Sequence, residues 1–307
     1  MRMLILGVLI GMLNNAPANA GPVADAAKTG NVTELERLLD AGEDPNEADA
    51  MLPPLHLAAM NGHVEAVQLL LVRGADPETP SSLGTPLHAA AKFGRAESVK
   101  ALLSGGVDPD LRDDDGYTSL IRAASRPNVP VVEALIEGGA DVDAIAIGKS
   151  NLNTISGPLI ALHEANLAGL DEVSSVLRAG GAGPILPEVP DNLASLGNPE
   201  RGRELAYSEC KICHTISASD VPNGPHPYYQ SVVPTLVGIM GRPVASLPDF
   251  DYSEELIDYG GIWTPERIYQ FALTPMLTVP GTRMDWSPDR TPEMIADIVT
   301  FLISEAE

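Results

Sequence analysis

The 307 residues contain two cysteines, three positions apart and immediately followed by a histidine: Cys210-Lys211-Ile212-Cys213-His214. Two thiols at that spacing on a helical turn match the two vinyl groups of a haem. Each S–H can add across one vinyl to make a thioether, and the adjacent imidazole then lies where it can ligate the iron. C-x-x-C-H is therefore the attachment signature of a c-type haem. A dithiol redox site would need a βαβ setting, and a structural zinc site a further ligand of the right kind nearby. Neither thiol has another cysteine elsewhere in the chain with which to form a disulfide.

The surroundings of the motif carry more. Gly202 stands eight residues before Cys210. Downstream follow Pro234-Thr235-Leu236-Val237-Gly238-Ile239-Met240-Gly241-Arg242, then Phe250-Asp251-Tyr252-Ser253, Trp263-Thr264-Pro265-Glu266 and Pro280-Gly281-Thr282-Arg283-Met284. In this order and spacing, residues Leu196 to Glu307 resemble a class I c-type cytochrome. The resemblance implies that Gly202 opens the N-terminal helix and that His214 is the proximal iron ligand. It implies that Pro234 offers its carbonyl to the outer ring nitrogen of His214, fixing the imidazole. Arg242, Tyr252 and Trp263 match positions that contact haem propionates, and Met284 matches the distal iron ligand. His226, in a Pro-rich loop, has no matching ligand pattern. Met240 and Met294 read as core packing.

Two departures from that family stand out. The helix glycine is usually followed four residues later by an aromatic, where this chain has Ala206 with Tyr207 next. That predicts looser or rotated helix docking. Phe271 occupies a position where many relatives carry a tyrosine hydroxyl near the methionine sulfur, which predicts an altered reduction potential.

The elements that position these residues are helical. Thr264-Pro265 begins one helix, with Pro in its first turn. Pro292 to Ala306 supplies a closing amphipathic helix with Ile298, Phe301 and Leu302 on one side. The first half is periodic in another way. Gly42, Gly74, Gly106 and Gly139 recur at intervals of 32, 32 and 33, each closing a Leu-Leu-like pair. A fifth copy, Val176-Leu177-Arg178-Ala179-Gly180, comes 41 residues later, after an insertion at about Ala144 to Gly157 and with an apparent one-residue deletion. Pro54-Leu55-His56-Leu57-Ala58 and Thr85-Pro86-Leu87-His88-Ala89 resemble the ankyrin repeat over about Val23 to Gly183. The resemblance implies that His56 and His88 are structural hydrogen-bonders rather than metal ligands, and His163 is a candidate for the same place in the fifth copy. Asp44-Pro45, Asp76-Pro77 and Asp108-Pro109 read as turns into the next unit.

The predicted fold class is all-α: an ankyrin-repeat helical solenoid followed by a class I cytochrome c domain. Residues 1–20 read as a signal peptide. Arg2, an apolar run Leu4 to Leu13 too short to span a bilayer, and Ala18-Asn19-Ala20 give the pattern of an exported, periplasmic protein with no membrane span in its mature chain. Residues 21–183 are expected to form about five repeats, 184–195 a Gly/Pro-rich linker, and 196–307 the haem domain.

Charge narrows the partners. The net charge of −23 offers no cationic surplus to displace counterions, which excludes nucleic acid. Residues 21–190 hold 11 basic and 25 acidic side chains, and 191–307 hold 7 and 17, with Lys211 the one lysine of that half. A basic or neutral protein partner fits better than one docked through a lysine ring. Asp113-Asp114-Asp115 marks an acidic repeat tip that would favour a cationic patch. The expected activity is single-electron transfer through one covalently attached haem, with the repeats as a docking module for a redox or scaffold partner. The chain reads as a carrier rather than an enzyme. The alternatives are a redox- or gas-sensing haem protein, or the haem subunit of a larger dehydrogenase or peroxidase complex.

Overall fold

The computed structural model describes residues 21–48, 52–149, 156–210, 214, 216, 234–236, 238–248, 250–282, 284 and 290–306. The expected leader, Lys211, Cys213 and His226 lie outside them.

The recurring leucines and glycines become five helix pairs: α1 (Pro22–Thr29) with α2 (Val32–Asp40), α3 (Pro54–Asn61) with α4 (Val64–Val72), α5 (Pro86–Lys92) with α6 (Ala96–Ser104), α7 (Ser119–Ala124) with α8 (Val129–Glu137), and α9 (Ala161–Leu167) with α10 (Asp171–Ala179). Prolines stand in the first turn of α1, α3, α5 and α8, where a missing N–H costs nothing. Leu38, Leu70, Leu102, Leu135 and Leu177 point from the second helices into one continuous core, which only stacked neighbours can complete. Each such leucine contributes about 2 kcal/mol by leaving water. Between the units, Asp44, Asp76, Asp108 and Asp141 accept the backbone N–H two residues ahead at 2.9–3.0 Å. This closes the turns. His56 and His88 are buried, and their Nε2–H groups donate to Gly84 O and Tyr117 O of the following unit, each at 2.9 Å. They stitch repeat to repeat. No cluster of His, Cys, Asp and Glu that could hold a metal occurs among the described residues.

Three features of the fifth copy and the acidic tip depart from expectation. Its left-handed glycine is Gly181 (φ 104), four residues after Leu177, as Gly139 (φ 90) follows Leu135. Gly180 is right-handed, so no residue is missing from that copy. The insertion forms an antiparallel hairpin, β1 (Ala146–Lys149) with β2 (Ser156–Leu159), the one sheet of an otherwise helical chain among the described residues. At the Asp113-Asp114-Asp115 tip, Arg122 pairs with both Asp113 and Asp115 at 2.7 Å, so one of the three negative charges is offset and the tip stays acidic.

The second half gathers around α12 (Pro199–Leu205) and the closing helix. Between them in sequence lie α13 (Glu254–Tyr259), α14 (Pro265–Leu273) and the short α15 (Pro275–Thr278), ahead of α16 (Pro292–Ser304); a short turn, α11 (Leu193–Leu196), precedes them all. Side-chain oxygens of Asn198, Ser253, Thr264 and Thr291 cap α12, α13, α14 and α16. Gly202 lies inside α12 rather than opening it, because Asn198 and Pro199 begin the helix. There α12 meets α16 so closely that a Cβ on Gly202 would run into the Asp297 carbonyl. The looser docking predicted from Ala206 is therefore absent. Ala206 is fully buried against α16's core, and from Ala206 to Cys210 the helix widens into a π-helical turn that re-aims the residues leading to the cysteine motif. Asp297, almost wholly buried, accepts the Asn198 N–H at 2.7 Å and pairs with Arg201. Burial pushes its carboxyl up, but these two partners outweigh burial and hold it below the ordinary carboxylate value.

The presumed linker is not a free tether. Ile185 N–H donates to Leu277 O at 2.8 Å, Gln270 Nε2 donates to Pro187 O at 3.1 Å, and Leu193 is buried in the second core. The segment from Pro275 to Thr282 lies far along the chain, yet it packs against the repeats. Met276 and Leu277 belong to the same buried cluster as the repeat leucines.

Candidate functional site

One cavity of about 410 Å³ collects the residues with chemical potential. Cys210, His214, Pro234, Arg242, Tyr252, Trp263 and Met284, all singled out by sequence, line it together. The rest of its wall is mainly apolar, built from residues such as Leu236, Ile239, Ile268, Phe271, Ile298 and Leu302.

Each polar member is held by its own element. The π-helical turn ends at Cys210, and the His214 N–H bonds back to Cys210 O at 2.7 Å, so the imidazole follows the thiol by one turn. The His214 Nδ1–H donates to Pro234 O at 2.6 Å, which leaves Nε2 as the nitrogen available to a metal. Burial pulls the His214 pKa below its ordinary value despite the opposing pull of the Pro234 carbonyl. At neutral pH the ring is therefore neutral, the form that ligates.

Arg242 and Trp263 are tied together by backbone. Trp263 N–H donates to Arg242 O and Gly241 N–H to Trp263 O, both at 2.9 Å. The Arg242 guanidinium donates to Thr235 O at 2.6 Å, and burial draws its pKa down. The Trp263 ring leans on Phe271, centroids 5.4 Å apart. Phe271 thus fills cavity wall with hydrocarbon where a hydroxyl was absent from the sequence. Met284 N–H bonds to Thr282 Oγ1 at 3.3 Å, at the end of the segment Pro275 to Thr282.

Arg290 and the apolar wall residues Leu256, Ile268 and Ala272 were not foreseen from the sequence, nor were the contacts that hold the methionine segment. The Phe250 ring packs against Tyr252 in a tilted arrangement, centroids 4.6 Å apart. Arg290 donates to Ala272 O at 3.3 Å. Its cationic character before the closing helix was the one available signal. The missed contacts come from α9. His163 is fully buried, and its Nδ1 accepts the Gly281 N–H at 2.9 Å. Asn166 Nδ2 donates to Pro280 O at 2.7 Å. Burial lowers the His163 pKa to about 4, so the ring is neutral at neutral pH and Nδ1 has a lone pair to accept with.

The donor set suits a haem. An apolar cavity bounded by a neutral imidazole, a thioether and a thiol, with the guanidinium groups of Arg242 and Arg290 in its wall, matches an apolar macrocycle carrying an iron and two carboxylates.

A family model for ankyrin repeats (3 copies) matches residues 4–81, 23–113 and 55–146. A cytochrome c homolog of Rickettsia conorii is 35% identical over 122 residues, 38% of this chain and 63% of that protein. This chain thus spans less than two thirds of that relative's length. A cytochrome c homolog of Rickettsia bellii is 33% identical, covering 46% of this chain and 74% of that protein. Cytochrome c2 of Rhodopila globiformis is 33% identical over 106 residues, 34% of this chain and 92% of that protein. These relatives imply a haem cofactor. No helix among the described residues is long and apolar enough to cross a membrane. With nearly all of a cytochrome c2 matched and ankyrin repeats ahead of the haem motif, the chain belongs to the cytochrome c family, as a cytochrome c domain fused to ankyrin repeats.

Proposed function

We propose that this protein is an exported carrier of single electrons, with one haem attached through Cys210 and Cys213 and ligated by His214 and Met284. The observation that carries this reading is the cavity itself. It brings Cys210, His214 and Met284 to one apolar space, with His214 oriented by Pro234. When bound, the haem supplies a one-electron ferric–ferrous couple. The chain's residues do the rest. Pro234 holds the imidazole in one tautomer and orientation. Met284 would hold the iron through its thioether, a ligand that would favour ferrous iron and raise the potential, and together with His214 it would leave little room for small molecules at the iron. The apolar wall keeps water out, and Arg242, Tyr252 and Trp263 are assigned to the propionates.

The reading extends to organisation. Residues 1–20 are assigned as the signal peptide, 21–183 as the repeats, 184–195 as the linker and 196–307 as the haem domain, in a periplasmic protein. The repeats hold a partner near the haem edge, and the raised effective concentration compensates for weak docking. The partner's docking face is basic or neutral, given the acidic residues of both halves.

Spectroelectrochemical titration of the purified protein tests the reading. The expected outcome is one reversible step with a single-electron slope and no peroxide turnover. Carbon monoxide is expected not to bind the ferrous protein at neutral pH. Ready uptake of carbon monoxide, or sustained peroxide consumption, would contradict electron transfer. Gas uptake would instead favour a sensor, a reading supported by the packing of the methionine segment on the repeats.

A further inference from the structure

In two of the earlier repeats, those of α3 and α5, a buried histidine at the start of the inner helix bonds to the backbone of the next unit. His56 reaches Gly84 O and His88 reaches Tyr117 O. His163 holds the equivalent place: Ala161-Leu162-His163 at the start of α9 matches Pro54-Leu55-His56 at the start of α3. Among the described residues no further repeat follows α10 to bond with it. The backbone of Gly281, three residues before Met284, bonds to it instead, with the polarity reversed: His163 Nδ1 accepts the Gly281 N–H, whereas His56 and His88 donate from Nε2. The docking is close. Gly281 has a left-handed φ of 104°, and a Cβ there would meet Asn166 Cβ at 2.7 Å and the Glu255 side chain at 2.6 Å. Asn166 holds the neighbouring Pro280 carbonyl, and Arg178 of α10 in turn donates to Asn166 Oδ1 at 3.3 Å. Below them Met276 and Leu277 complete the apolar core of the array.

We propose that the Pro275–Thr282 segment serves as the missing sixth unit of the array, and that His163 and Asn166 are positioning residues that clamp the approach to Met284. This rests on the reading of Met284 as the distal ligand. The segment's backbone carries few hydrogen bonds of its own beyond the α15 turn. Its N–H and C=O at the Pro280-Gly281 corner are satisfied from the repeats instead. Freed of those partners, a buried N–H and C=O would be left unpaired, and the segment would move to satisfy them. The thioether at its end would then spend more time off the iron.

The test uses the full-length haem-loaded protein and external imidazole, which binds ferric iron only when Met284 is displaced. His163→Leu removes the acceptor and keeps bulk. It is expected to bind imidazole about tenfold more tightly than the parent, because apparent affinity scales with the fraction of open sites. It is also expected to weaken the red charge-transfer band of methionine-bound ferric iron. Amide exchange at Gly281 should accelerate about tenfold, by loss of one hydrogen bond's protection. His163→Gln, whose side-chain oxygen can accept the same bond, should restore most of each effect. His56→Leu breaks a buried histidine-to-backbone bond far from the segment and should leave the band and imidazole affinity unchanged. Where His163→Leu does not fold, Asn166→Ala carries the test, with the same signs. Unchanged exchange and unchanged imidazole affinity in a folded His163→Leu protein would overturn the clamp. A parent protein that lacks the methionine band would overturn the ligand assignment alone, and exchange at Gly281 would still decide the clamp.

Discussion

Gly202→Ala should destabilise the haem-binding half by about 2 kcal/mol, although alanine is the better helix former. Two effects compete. Helix propensity favours alanine over glycine by about 1 kcal/mol. Against it, the new Cβ would lie on the Asp297 carbonyl and crowd the Phe301 Cβ at 3.0 Å. The first obstacle is backbone in the middle of α16 and cannot rotate away. Forcing the helices apart costs roughly 1–3 kcal/mol for overpacking. It also strains the bonds that Asp297 makes to Asn198 and Arg201, a buried carboxylate whose loss of partners is expensive. Overpacking and strain together outweigh propensity. Because α12 runs through the π-helical turn into Cys210, the damage should appear at the haem. Urea unfolding followed at the haem absorbance should show an earlier midpoint than in the parent. An unchanged or later haem midpoint would mean that propensity governs and that the α12–α16 contact is looser than described.

Met284→Ala should keep the haem attached yet change its electronic state. Loss of the thioether is expected to abolish the red band of the ferric protein and to open the iron to imidazole and, in the ferrous state, to carbon monoxide. The potential should fall by on the order of 0.1 V or more, a fraction of the ~0.8 V over which axial ligands act. Met240→Leu and Met294→Leu, at positions read as packing, should leave the band and potential near those of the parent. Loss of the band in either of them, with retention in Met284→Ala, would move the distal ligand elsewhere.

Much of this architecture is legible in the sequence because it repeats. A leucine pair closed by a left-handed glycine, recurring every 32 or 33 residues, fixes helix ends and stacking at once. Thr264-Pro265 and Thr291-Pro292 announce their helices because the cap and the first turn are local chemistry. The fifth copy misleads for an equally local reason. Gly180 and Gly181 are adjacent, and the spacing of four residues from the core leucine, as from Leu102 to Gly106 and Leu135 to Gly139, makes the second of them the left-handed one. The hairpin in the insertion carries no apolar alternation to give it away. The π-helical turn at Ala206–Cys210 has no sequence signature; the alanine in an aromatic's usual place suggests a loose contact, while close approach at Gly202 makes a tight one. The largest omission is the seat of Pro275–Thr282. More than a hundred residues separate His163 from Gly281, and no periodicity links them. A buried histidine at a repeat position with no following repeat was the one clue that something else must cover it.

The function depends on the covalent bond between chain and cofactor: the site gathers Cys210, His214 and Met284, and Cys213 directly precedes His214 in the sequence. Intact mass spectrometry of the protein, produced in a host with a c-type cytochrome maturation system and then acid-denatured, tests it in one measurement. The expected result is a single species at the mass of the polypeptide from Gly21 plus one haem, falling to bare polypeptide when Cys210 and Cys213 are both replaced by alanine. A parent protein that leaves denaturation as unmodified polypeptide would contradict it.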